Sequence, residues 1–536
     1  MSSVNKVLFL GMDAGNKFLI QEWAADGILP TFRSLLNRGL VGDTMSLEGF
    51  YEGSTWPSFY TGVTPAQHGI HSLIQLTPGT YKFEHIRPGD FVKCDPFWNH
   101  LSRAGKRVAV FDIPLSGISE ELNGIQMIEW GCHDGVYGFH TRPEHLKHDV
   151  LERFGPHPLI RSCDSFGWTQ KEFPAFRNLL VQGARLKGEL TKHYLKQGSW
   201  DFFGQVFSEG HCAGHQCWHL HDQRQIASIT QSASVTEDPI LDVYIAIDTA
   251  IGEILAHIDP ETIVIFLAGH RMAHYFGLQF LLPDVLCRLK VARTPMEVTA
   301  EKPPDTVDKL EAVLTWGWRH TPKSVRARLQ SLRRNLRGWI DVHQGRPSPM
   351  FFGIEPRKSE CFLMHNGASV CGIRLNVAGR EPEGLLQPGE EAEVFCDQLA
   401  QDLMDIVDLD TGKPAVKSVK RCSELYRGKY LDHLPDLLVE WNDEKRVGNT
   451  VTGTLDGARV RLFSDKIGVV EGANTYCRSG DHRPEGLFIA FGPGIKPGRM
   501  KRTVSIMDFA PTFADLLGVK LPLSDGAPIT EILKAR

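Results

Sequence analysis

What the chain lacks narrows its class first. No segment approaches the roughly 20 consecutive apolar residues of a membrane-spanning helix. The apolar stretch near the amino terminus, residues 7–12, is short and has neither a basic flank nor a small-residue cleavage site after it. A membrane protein and a secreted precursor are therefore not expected. Charge of one sign is lacking too: 59 Lys and Arg against 64 Asp and Glu leave a formal net charge of -5, which excludes a strongly basic nucleic-acid binder. The 11 cysteines, from Cys94 to Cys477, follow no repeating spacing, and in a chain of 536 residues that does not make a disulfide framework. A reducing cytoplasm is the expected compartment. No internal repeat or low-complexity tract stands out.

What is present is an alternation of buried strands and helices. Residues 7–12 form the continuous apolar run of a strand covered on both faces, and Asp13 follows at its carboxyl end, where open α/β sheets bind ligands. Similar runs recur at residues 107–111, 202–207, 262–267 and 487–491. Residues 242–257 carry Val243, Ile247, Ile251, Ile254 and Leu255 at helical spacing. The pattern predicts an α/β fold with a largely parallel sheet under helices. Composition shifts between residues 281 and 350, where Lys302-Pro303-Pro304-Asp305 reads as a loop and Arg326, Arg328, Arg333, Arg334 and Arg337 crowd one stretch. We read 281–350 as an inserted helical cap or lid and 1–280 with 351–536 as one catalytic domain. The arginines read as a solvated helix face in preference to a gate for an anionic substrate.

Two groups of residues carry chemistry. Thr55 precedes Trp56-Pro57, and proline is favourable in the first turn of a helix, so Thr55 is placed at a helix amino terminus, where N–H groups and the helix dipole attract anions. A hydroxyl there, near a metal-binding carboxylate such as Asp13, is a candidate nucleophile. The second group follows the run 202–207: His211 and His215 are four residues apart and can reach one ion from a helix, with His482 as a third ligand after the loop Arg478-Ser479-Gly480. The competing reading makes them helix-face histidines. His219, His221, Cys212 and Cys217 read as packing groups or supports for the ligands.

These pieces resemble, in order and over most of the chain, the type I phosphodiesterase/nucleotide pyrophosphatase family of the alkaline phosphatase superfamily. The resemblance rests on residues 7–70 with Asp13, Thr55 and His68-Gly69-Ile70, on His270, on Arg374-Leu375-Asn376 and Gly379-Arg380-Glu381, on Asp481 to Gly486, and on Ser505 to Thr512. It implies an alkaline phosphatase-like α/β/α sandwich with a helical insertion. It also implies metal ligation by Asp13, Thr55, His211, His215, His270 and His482; beside these, Arg271, next to His270, and His274, four residues after it, are candidate substrate contacts. Two family carboxylates are missing: His211 stands at one position, and Gly269, ahead of His270, at the other; Arg271 replaces a usual glycine. Fewer anionic ligands suit an imidazole-preferring divalent metal, one or two ions, zinc first with iron and manganese as alternatives. The implied mechanism is in-line attack on phosphorus by a Thr55 alkoxide, followed by hydrolysis of a phosphothreonine.

The leading expectation is a metal-dependent hydrolase cleaving phosphodiester or pyrophosphate bonds of a nucleotide-like small molecule, with no nucleic-acid or membrane partner and no indication of oligomeric state. A second keeps the fold but turns the altered metal site to phosphonate or sulfate esters, group transfer or non-hydrolytic metal chemistry. A third is a non-catalytic anion-binding protein. Fold alone does not choose among them.

Overall fold

The computed structural model describes residues 6–86, 93–133, 135, 137–159, 162–165, 172–230, 237–294, 352–450 and 457–533. Its central strands are β1 (Lys6–Met12), β2 (Leu40–Met45), β3 (Val108–Phe111), β4 (Gly124–Ile128), β5 (His140–Arg142), β6 (Phe202–Phe207) and β7 (Thr262–Ala268), with the later strand Glu485–Phe491 inserted between β2 and β7. β7, β1, β6, β3 and β4 lie side by side and parallel. Glu485–Phe491 runs antiparallel to both of its neighbours, and β5 closes the far edge antiparallel to β4. The expected α/β class with a largely parallel sheet is the architecture seen.

Strand alternation builds the two helical layers. In β1, Leu8, Leu10 and Met12 enter one core while Val7 and Phe9 enter the other, and β6 and β7 divide the same way. The first core packs under α1 (Lys17–Ala25), α2 (Pro30–Arg38), and three later helices described below; the second packs under α3 (Thr55–Thr61) and Phe509–Leu516. A smaller antiparallel sheet, ordered Cys361–Met364, Val370–Leu375, Leu437–Trp441 and Val416–Arg421, has its own core. Of the segment expected as a cap, residues 281–294 are described: Leu282–Arg288 is a helix whose Leu282, Val285 and Leu286 are buried in that core. Residues 295–351, with the five arginines, lie outside the described residues.

One buried cation joins the first layer to the sheet. Lys187, on α4 (Phe173–Gln197), has a fully buried side chain and donates to the carbonyls of Gly131 (2.8 Å) and Val206 (3.0 Å). Its Nζ also stands 3.3 Å from Glu209 Oε1, at the start of α5 (Glu209–Thr230), and 3.7 Å from Asp112 Oδ2. Glu209 accepts in turn from His157 (2.9 Å). The last helix of this layer is α6 (Pro239–Leu255), capped by Asp238. Removing one partner of a buried ionic group leaves the others uncompensated, so Lys187→Ala should lose about 3–5 kcal/mol of stability in denaturant titration. A loss below about 1 kcal/mol would show that these carboxylates do not depend on it.

Candidate active site

The site forms where β1, β6 and β7 end. Asp13, just beyond β1, is buried with both carboxylate oxygens occupied: Trp56 Nε1–H donates to Oδ1 (2.7 Å) and His211 Nδ1–H to Oδ2 (2.6 Å). Burial alone would push this carboxyl up. The charge and hydrogen bond of His211, then His270 and the Trp56 indole, overcome that and hold it well below the usual carboxylate range.

His211 and His215 lie one turn apart on α5, both buried. His215 Nδ1 is 2.9 Å from the carbonyl of Gly480, which only accepts, so Nδ1 carries the proton. A side chain on Gly480 could not fit, since its Cβ would stand 2.1 Å from Gly214 O; this glycine allows the approach. His211 Nδ1 is likewise held protonated by the ionised Asp13. Both Nε2 atoms are therefore lone-pair atoms, yet they face each other at 2.9 Å. Two such lone pairs repel unless a cation lies between them. Arg478 supplies part of that charge, with Nη1 3.0 Å from His215 Nε2, while its guanidinium grips Asp164 in two bonds of 2.8 and 3.0 Å.

The cluster extends through the antiparallel pair of strands Arg271–His274 and Gly480–Arg483, which sets His482 opposite Met272. The His482 ring centre lies 4.8 Å from that of His211, 4.9 Å from His215 and 5.0 Å from His270. Neither nitrogen of His270, nor Nδ1 of His482, has a hydrogen-bond partner although these atoms are buried. These orphaned ring nitrogens, beside histidines whose other nitrogens are bonded to a carboxylate and a carbonyl, leave lone pairs available to a cation. Burial pushes all four histidines down, His211 to about 4.

Thr55 is the first residue of α3, as expected, and is buried; its hydroxyl donates to the carbonyl of Tyr51 (2.8 Å) and contacts Ser46 Oγ. It does not line the cleft of about 470 Å³ onto which Asp13, Trp56, His211, His215, His482 and Arg478 open. Arg271 and His274 lie outside that cleft as well. Arg271 pairs with Glu485 (3.1 Å) over the ring of Phe18, and His274 Nε2 donates to the carbonyl of Asp443 (2.9 Å). At Gly269 a Cβ would stand 2.7 Å from Ile506 Cδ1, so Ile506 crowds the place where a side chain would start.

Four residues assigned no site role from the sequence, His133, Glu52, Trp56 and Arg478, belong to the site. His133 stacks on His211 with ring centres 3.9 Å apart. Its donor atoms group with His211 and His215, and also with Cys163 and Cys212, within 4.8 Å; Glu52 groups in the same way with Asp481 and His482. Burial, and for Glu52 the neighbouring Asp481 as well, pushes the carboxyls of Glu52 and Asp481 above the usual range. Trp56 and Arg478 complete the set. Position after strand β4 was the available signal for His133; the others had none.

A model of the family described as Type I phosphodiesterase / nucleotide pyrophosphatase matches residues 7–303, more than half of the chain. The chain belongs to this family. It is accordingly a hydrolase of phosphoester chemistry, within the alkaline phosphatase superfamily. A search of curated proteins finds no match. Among solved structures, a phosphonoacetate hydrolase from Sinorhizobium meliloti, in complex with phosphonoformate, shares the fold with a TM-score of 0.51 at 12% identity over 96% of this chain and 95% of its own. Murine ectonucleotide pyrophosphatase/phosphodiesterase 5 aligns with a TM-score of 0.47 at 12% identity, covering 98% of each chain. Among the described residues, no helix is long and apolar enough to cross a membrane.

The family member should lose stability in acid without metal. His211 binds its proton near pH 4 when folded and near pH 6.5 when unfolded, so the unfolded state takes up protons first as pH falls between those values. This one residue should cost about 3 kcal/mol by pH 4, with His215, His270 and His482 acting in the same direction, all of it absent above about pH 7. Thermal melting of chelator-treated protein across pH 4–8 checks this; a flat profile below pH 6.5 would contradict it.

Proposed function

We propose that this family member is a metal-dependent hydrolase of phosphodiester or pyrophosphate bonds in a nucleotide-like small molecule, with a zinc-type divalent ion held by His211, His215, His270 and His482. The main support is the pair of Nε2 lone pairs facing each other at 2.9 Å with both opposite nitrogens already bonded. An all-imidazole set fits zinc or another borderline metal better than a hard cation. When bound, such an ion supplies Lewis-acid polarisation of a phosphoryl oxygen.

The chain's own residues do the rest. Asp13 orients His211 and is itself fixed by the Trp56 indole. Arg478, held in place by Asp164, offers a planar cation for a phosphoryl group at the cleft wall. Tyr275, Phe280, Phe352 and Tyr476 line the same cleft and give a nucleobase apolar faces to lie against. Thr55 acts as the nucleophile: its hydroxyl leaves the Tyr51 carbonyl and attacks phosphorus, its proton passes to solvent, and the leaving group departs with the electron pair of the broken bond to phosphorus.

A second reading has one specific observation in its favour. Thr55 is 1% exposed and lies off the cleft lining, and Ile506 crowds Gly269, where the family carries a carboxylate. Attack by water on a phosphonate or another ester, without Thr55, would suit that geometry. Turnover of bis(p-nitrophenyl) phosphate by purified protein separates the two. Thr55→Ala should lower kcat about a hundredfold or more with metal content unchanged. Near wild-type turnover in that variant would remove Thr55 from the mechanism and favour water. His215→Ala should lose both metal and activity; full metal content in it would refute the imidazole site.

A further inference from the structure

Behind the imidazole cluster lies a second set of soft donors. His133 Nδ1 stands 3.3 Å from Cys212 Sγ and 3.6 Å from Cys163 Sγ, and all three donor atoms lie within 4.8 Å of one another. Cys163 and Cys212 are 0% and 1% exposed and are not disulfide-bonded. Zinc binds sulfur at about 2.3 Å and imidazole nitrogen at about 2.0–2.1 Å, so tetrahedral ligation places nitrogen and sulfur about 3.6 Å apart. Of the two observed separations, that to Cys163 (3.6 Å) matches this value and that to Cys212 (3.3 Å) is slightly shorter.

Three different parts of the chain supply these donors: the turn beyond β4, the short helical turn Cys163–Ser165, and the second residue past Gly210 on α5. Both cysteines belong to the first apolar core, yet their sulfurs converge on one imidazole. Here Cys163 Sγ also approaches Asp164 Oδ1 (3.8 Å), and Gln216 Nε2 approaches Cys163 Sγ at the same distance.

We propose that His133, Cys163 and Cys212 form a second metal site of Cys2His type for zinc or a similarly thiophilic divalent ion, with water in the fourth position. Two thiolates would balance the charge of the ion, so the buried site is neutral when loaded. Through His133, which stacks on His211, the site holds the turn after β4 against the imidazole cluster. It differs from that cluster in using sulfur, and it stands or falls separately.

Cobalt substitution of the full chain tests it. Wild-type protein loaded with Co(II) should show near-ultraviolet sulfur-to-cobalt charge-transfer absorption, which imidazole ligation cannot produce. Cys163→Ser and Cys212→Ser should each abolish that band and remove one metal equivalent, while His215→Ala keeps the band and loses metal elsewhere. Because the wild-type spectrum is read directly, a variant that fails to fold leaves the test intact. Absence of the band in wild type would overturn the proposal. So would unchanged metal content in both cysteine variants, or a Cys163–Cys212 disulfide found by thiol counting and peptide mapping in metal-loaded protein. A band in wild type with His215→Ala unaltered in metal content would uphold this site and refute the imidazole one.

Discussion

The Asp13 carboxylate ties the site to the fold. It sits at the end of a strand buried on both faces, so its position is set by the sheet, and it takes one hydrogen bond from the start of α3 and one from α5. A single anion thereby fixes the two helices that carry Thr55 and the paired histidines. Because burial opposes its charge, the carboxylate stays ionised only while its donors remain in place, and the histidine tautomers follow from that. The lone pair of His211 Nε2 is aimed by Asp13 as surely as that of His215 is aimed by the Gly480 carbonyl.

Neutral imidazoles crowded into a buried pocket are costly to protonate and poorly satisfied by one another. His270 has no hydrogen-bond partner at either nitrogen, Nε2 standing 3.8 Å from Asp13 Oδ1, and His482 has none at Nδ1. A cation relieves both conditions at once. On the proposed reading the site is built of imidazole, with His211 and Gly269 where the resemblance implies carboxylates, and Arg478 adds fixed positive charge beside Asp164. Such a centre favours metals that prefer nitrogen and sulfur over oxygen.

The strands were legible where burial is continuous, as in β1, β6 and β7, because an apolar run followed by a polar residue marks both the strand and its ligand end. His211 and His215 were legible for a related reason, since helical spacing places residues four apart on one face. What escaped was set by distance along the chain. Arg478 reaches Asp164 across 314 residues, and Cys163 meets His133 and Cys212 from a separate turn. His133 follows β4, whose Gln126 and partly covered first residues hide the apolar run. Arg271 and His274, expected toward substrate from their closeness to His270, sit at the two ends of a short strand and are engaged by Glu485 and Asp443 instead. Alternation along an extended segment sends Arg271 to the face opposite its neighbour His270, whereas His274, an even number of residues on, is held by the Asp443 carbonyl. Trp56 was read only as the neighbour of a helix-starting proline, whereas its indole secures Asp13.

Anomalous diffraction from crystals of the protein as purified, recorded on both sides of the zinc edge, addresses the central claim directly. A zinc-specific peak about 2.0–2.1 Å from both His211 Nε2 and His215 Nε2 is the expected result. Density showing the two rings bridged by water or by Arg478 alone, with no anomalous signal there in metal-replete crystals, would contradict it.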